Sequence, residues 1–104
     1  QQKDILADTR TELLAEAKSL WAIYHNALRR LDARTREINA IQEAREGIQT
    51  EVRLGERPFQ ESLDIEQDLV DARIALIEAK YEKVISLVRL LALKNENISG
   101  SQGS

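Results

Sequence analysis

The sequence predicts an all-α chain: an antiparallel two-helix coiled-coil hairpin that forms a piece of a helical barrel wall. Three observations carry this. Pro58, the only proline, and Gly55, one of two glycines ahead of the C-terminal tail, sit together near the middle of 104 residues. Heptad patterns run away from that point in both directions. The second arm carries two apolar stripes where a simple hairpin needs one.

Composition sets the class. Aromatics make up 4% and charged residues 32%, too few large apolar groups for a compact core and the usual profile of a long helix or coiled coil. Acids and bases are interspersed at a net charge of −3, with no basic stripe, so no nucleic-acid partner is expected. The absence of cysteine excludes disulfides and thiol chemistry. No run approaches the ~18 apolar residues of a membrane span, so no membrane contact by this segment is expected. The chain opens in Gln1-Gln2-Lys3-Asp4 with helix formers already under way, as expected of a segment of a larger protein.

Residues 1–53 are predicted to form a long descending helix, regular from about Asp4 to Val52. Leu6, Leu13, Leu20, Ala27, Ile41 and Ile48 recur in register of seven, with Ala17, Tyr24, Leu31, Ile38 and Val52 at the alternate seam position. Arg10, Arg34 and Arg45 interrupt this seam, where their aliphatic stems can cover it while the heads reach water. A thinner second stripe holds Ala33, Ala40, Ala44 and Gly47 towards the corner, and Leu14, Trp21 and Leu28 further away.

Residues 54–58 are the predicted hairpin tip. Gly55 can take the left-handed conformation that closes a helix, and Pro58, with its preset φ and missing N–H, suits the start of the next. Residues 59–94 are the ascending helix. Leu63, Val70, Ile77, Val84 and Leu91, with Ile74, Tyr81 and Val88 between them, form one seam, expected to close against the first helix. Ile65, Leu69, Ala72, Leu76 and Ala79 repeat the spacing two positions on, roughly 200° around the helix, and are expected to meet a neighbouring hairpin. Residues 95–104 have linker composition and are predicted to be a flexible tail.

The corner Glu51-Val-Arg-Leu-Gly-Glu-Arg57, with Leu63-Asp64, Gln67, Leu69, Ala72-Arg73, Leu76, Ala79 and Arg89-Leu-Leu-Ala92, resembles the second repeat of TolC-type outer-membrane channel proteins. These are the exit ducts of efflux pumps and type I secretion systems. Ala17-Lys-Ser-Leu-Trp21 is similar to the family's aromatic-bearing stretch on the descending helix, so the likeness covers residues 10–93. The resemblance implies a periplasmic tunnel segment of a bacterial outer-membrane protein, homotrimeric in its full-length parent. It implies that Leu54, Gly55, Glu56 and Arg57 dock a periplasmic adaptor (membrane fusion) protein. It also implies that Arg57, Glu61 and Asp64 shape the channel entrance. Val52 stands where the family has a tyrosine, and Pro58 where threonine is commoner. The alternative reading is an adaptor hairpin or a generic coiled-coil scaffold, although the adaptor tip motif of Arg, Leu and Ser around the turn is not found here.

Other chemistry is thin. Glu61 and Asp64, three apart on one face, either line an acidic ring or offset the helix macrodipole. His25 has no second ligand at metal spacing, Trp21 reads as a packing residue, and the arginines between Leu28 and Arg36 read as a solvated face. With no nucleophile, metal set or phosphate loop, the chain is expected not to be an enzyme and to need no cofactor.

Overall fold

The structure, a computed structural model, describes the backbone of residues 2–102 and the side chains of residues 7–96. Two helices account for nearly all of it: α1 (Gln2–Arg53) and α2 (Phe59–Gln102). Nothing in α1 breaks the backbone ladder. Gly47 costs about 1 kcal/mol relative to alanine, which a helix this long absorbs. The hydroxyls of Thr11, Thr35 and Thr50 each donate to the carbonyl four residues back, at 2.9 Å, so these residues add no unsatisfied group to the helix.

The ascending helix outlasts its expected end. Residues 95–102, predicted to be flexible tail, continue α2 through Gln102, while residues 103 and 104 lie outside the described residues. Extending an existing helix needs no new nucleus. Asn and Ser cost only a few tenths of a kcal/mol each, Gly100 about 1, and no proline forces a stop.

The chain divides into two compact units. One comprises residues 1–28 with 82–104, the other residues 29–81. In the first, Ala27 and Leu93 are buried, as is Ser86, whose hydroxyl donates to the Lys83 carbonyl at 2.9 Å. The second unit holds the corner, and here the two helices turn back on each other as an antiparallel hairpin. Its core is Ile38 against Leu69 and Ala72, flanked by Ile41 and Leu76, with Ile65 and Ala79 also buried. A polar layer crosses the same seam: Arg45 Nε donates to Glu66 Oε1 at 2.5 Å, and Gln49 Nε2 donates to the same oxygen at 3.0 Å. The seam arginine thus finds an acid on the sister helix rather than snorkelling to water.

The descending seam is the protected one, as predicted: Ile38 is buried and Leu31, Ile41, Ile48 and Val52 are half-buried. On α2 the two stripes exchange roles. Ile65, Leu69, Ala72, Leu76 and Ala79, expected to face a neighbouring hairpin, are the face that closes this one. Leu63, Val70, Ile74, Ile77 and Tyr81, expected inside, are exposed, Ile77 at 65% and Tyr81 at 67%. The physical reason is size and turn geometry. Alanines at 72 and 79 alternate with leucines at 69 and 76, and Ile38 of α1 packs at Ala72, whereas the rejected stripe is bulky throughout. The tight corner also aims Glu66 at Arg45, and a half-turn rotation of α2 would unpair both.

Candidate docking tip and lateral face

The corner is built from the backbone outward. Gly55 has φ +76°, the left-handed region that side chains with a Cβ avoid. Its N–H donates to the Val52 carbonyl at 3.0 Å, and the Glu56 N–H reaches back to the Glu51 carbonyl at 2.8 Å. Those two bonds are the paired closure of a Schellman motif, which satisfies carbonyls that α1 would otherwise leave open. Pro58 lies immediately before α2 and its carbonyl accepts the Glu61 N–H at 3.1 Å. The proline therefore acts as the residue that launches the helix rather than as its first member.

Arg57 ties the two helix ends together. Its Nη1 donates to Glu61 Oε2 at 2.9 Å, and its Nε donates to Glu51 Oε2. The hydrogen bond to Glu61, then the hydrogen bond and charge of Glu51, raise the guanidinium pKa further above its ordinary value, so Arg57 stays charged at any working pH. Of the four expected docking residues, Gly55 and Arg57 thus shape the tip, while Leu54, exposed at 67%, and exposed Glu56 stand out from it.

The expected acidic pair is split between separate partners. Glu61 is bound to Arg57 in the first turn of α2, where its charge also meets the positive end of the helix dipole. Asp64 is exposed and accepts from Gln60 Nε2 at 3.1 Å. Of the residues expected at an entrance, Asp64 is therefore the carboxylate with no basic partner among the ion pairs of the tip.

Phe59 went unremarked in the sequence and is 68% exposed. It belongs to neither heptad seam of α2, and an aromatic off both seams directly after the lone proline is a signal of a surface role. The pairing of Glu51 with Arg57 is not legible in the sequence, because a pair six apart across a turn leaves no periodic trace. On the lateral face, Ala33, Ala40, Ala44 and Gly47 of α1 are exposed, and a Cβ placed on Gly47 would meet no atom within 4 Å. In the first unit Trp21 is exposed and His25 stacks on it edge-on, with ring centroids 4.5 Å apart.

Among the described residues no group of three His, Cys, Asp or Glu is placed to hold a metal ion, and no helix is long and apolar enough to cross a membrane. Comparison with protein-family models, with curated proteins and with solved structures finds no match for this chain.

Proposed function

We propose that this chain is the periplasmic tunnel and tip segment of a TolC-type exit duct for efflux or type I secretion. In this reading it lines the channel entrance and docks a periplasmic adaptor protein, within a parent that is a homotrimer of the bacterial outer membrane. The observation that carries the reading is the second apolar heptad stripe of α2, left exposed on the side away from the seam that closes the hairpin. Soluble chains seldom leave so long a stripe uncovered, and a helix with contacts on two sides suits the wall of a tube. The corner adds to it. Leu54 and Phe59 offer apolar contacts at the extreme end of a hairpin whose shape Gly55 and Arg57 fix.

No bond-making chemistry is required. In this mechanism neighbouring hairpins close the entrance by packing side by side, and their displacement by partners opens it. Asp64 supplies negative charge at the entrance, favouring cations over anions there. Arg57, held inside its own tip by Glu51 and Glu61, would have to exchange one of those partners to link to a neighbour.

The test is capture of a periplasmic adaptor hairpin by the wild-type chain and by Gly55→Trp and Arg57→Glu. Both substitutions are expected to reduce capture at least tenfold while helicity is retained. Capture that ignores both changes would contradict tip docking.

A further inference from the structure

The seam of α2 is written twice, two residues apart. In the unit of residues 29–81, Ile65, Ala72 and Ala79 are buried, while Leu63, Val70 and Ile77, each two positions earlier, are exposed. In the other unit buried Ser86 and Leu93 are matched two positions earlier by exposed Val84 and Leu91. The acid repeats with the stripes. Glu66 directly follows Ile65 and accepts from Arg45 and Gln49. Asp64 directly follows Leu63, is exposed, and accepts from the uncharged amide of Gln60. A shift of two residues along a helix is a screw motion of about 3 Å along the axis and roughly 200° around it. That motion carries the outer stripe to the place of the inner one, and Asp64 to the place of Glu66.

We infer that α2 has two seats on α1, related by this two-residue screw: the observed one, with Glu66 on Arg45, and a second with Asp64 on Arg45 and the outer stripe in the seam. In both, the arginine that interrupts the seam of α1 meets a carboxylate, so neither seat strands its charge. A single polar layer in a coiled coil specifies one register. Here its acid is present twice, at the same offset as the stripes, and the layer therefore specifies two. The inference stands on the hairpin alone and does not draw on the duct reading.

The observed seat is the ground state for three reasons. The screw would put Gln67 where Leu69 is most enclosed, would bring the bulkier Val70 to Ile38 in place of Ala72, and would draw Glu61 off Arg57. Against these, Leu63 and Ile77 would leave water and Val84 would replace the polar Ser86. The second seat is reached by sliding one packed helix along another, without loss of helix. Its consequence is an exchange of surfaces: α2 shows its bulky stripe outward in the first seat and its alanine-bearing stripe in the second. A neighbour that fits one of those faces better than the other selects the register.

Thiol alkylation of the full chain tests this, using Ala72→Cys and Val70→Cys singly. With no other change Val70→Cys is expected to react at least a hundredfold faster. Adding Glu66→Arg sets like charges together at Arg45 and leaves Asp64 as its carboxylate. The order of rates is then expected to reverse by tenfold or more, with helicity unchanged by circular dichroism. Adding Arg45→Glu as well rebuilds the first pair with its signs exchanged and is expected to restore the original order. A Glu66→Arg chain in which Val70→Cys still reacts faster would overturn the inference. Disulfide formation with the polar layer intact decides the matter even where Glu66→Arg merely opens the hairpin. Val70 and Asp71 are turned about equally far from the observed seam, and the second seat brings residue 70 alone to Ile38. Ile38→Cys with Val70→Cys is expected to close at least tenfold faster than Ile38→Cys with Asp71→Cys, and equal rates would rule out a second seat.

Discussion

Leu69→Asp is expected to abolish the cooperative unfolding transition of the hairpin. Leu69 is the most enclosed large side chain described, 1% exposed, wedged among Ile38, Ala72, Ile41 and Leu76. Truncation to alanine would already cost about 2–5 kcal/mol in lost transfer energy and cavity. A carboxylate adds the penalty of a charge with no partner in that layer, because the nearest basic group of the seam, Arg45, is taken by Glu66. A domain of this size has only about 5–15 kcal/mol in hand. Urea denaturation followed by far-UV circular dichroism is the measurement. Val70→Asp, one residue along and 46% exposed, is expected to shift the same transition by less than about 1 kcal/mol.

Gly55→Val is expected to destabilise the chain by about 1–3 kcal/mol through the corner alone. At φ +76° a β-branched side chain collides with its own backbone, although space around the position is open. Relief would require another φ, and that breaks the 2.8 Å and 3.0 Å bonds closing α1. The loss should therefore persist at high salt, which weakens exposed ion pairs, those of Arg57 among them, but leaves the backbone angle as it is. Thermal unfolding at low and high salt separates the two. A Gly55→Val deficit that vanished in salt would show that charge, not backbone angle, holds the corner.

The two helices, the corner and the protected seam of α1 were legible because each rests on local chemistry: heptad spacing, one glycine able to adopt positive φ, one proline. The assignment of faces on α2 was not. Both stripes are apolar and equally periodic, so hydrophobic pattern gives no preference between them. What decides it is non-local: Glu66 within reach of Arg45 and Gln49, and Ala72 packed with Ile38 of α1. The end of α2 was misjudged for a different reason, since linker-like composition raises the cost of each helical residue only slightly. At the tip, the turn at Gly55 is legible from residue type and the roles of Leu54 and Arg57 are expected from the resemblance alone, whereas the Glu51–Arg57 pair and the exposure of Phe59 emerge only when the turn is closed in space.

The account depends most on α2 having one face used inside the hairpin and an opposite face left free for a neighbour. The chain has no cysteine, so single thiols can be placed at will. The direct measurement is the rate of thiol alkylation of Leu69→Cys and Ile77→Cys, at a concentration where sedimentation shows monomer. Ile77→Cys is expected to react within a few-fold of a free thiol, and Leu69→Cys at least a hundredfold more slowly. Equal rates, or protection at position 77 with reactivity at 69, would contradict it.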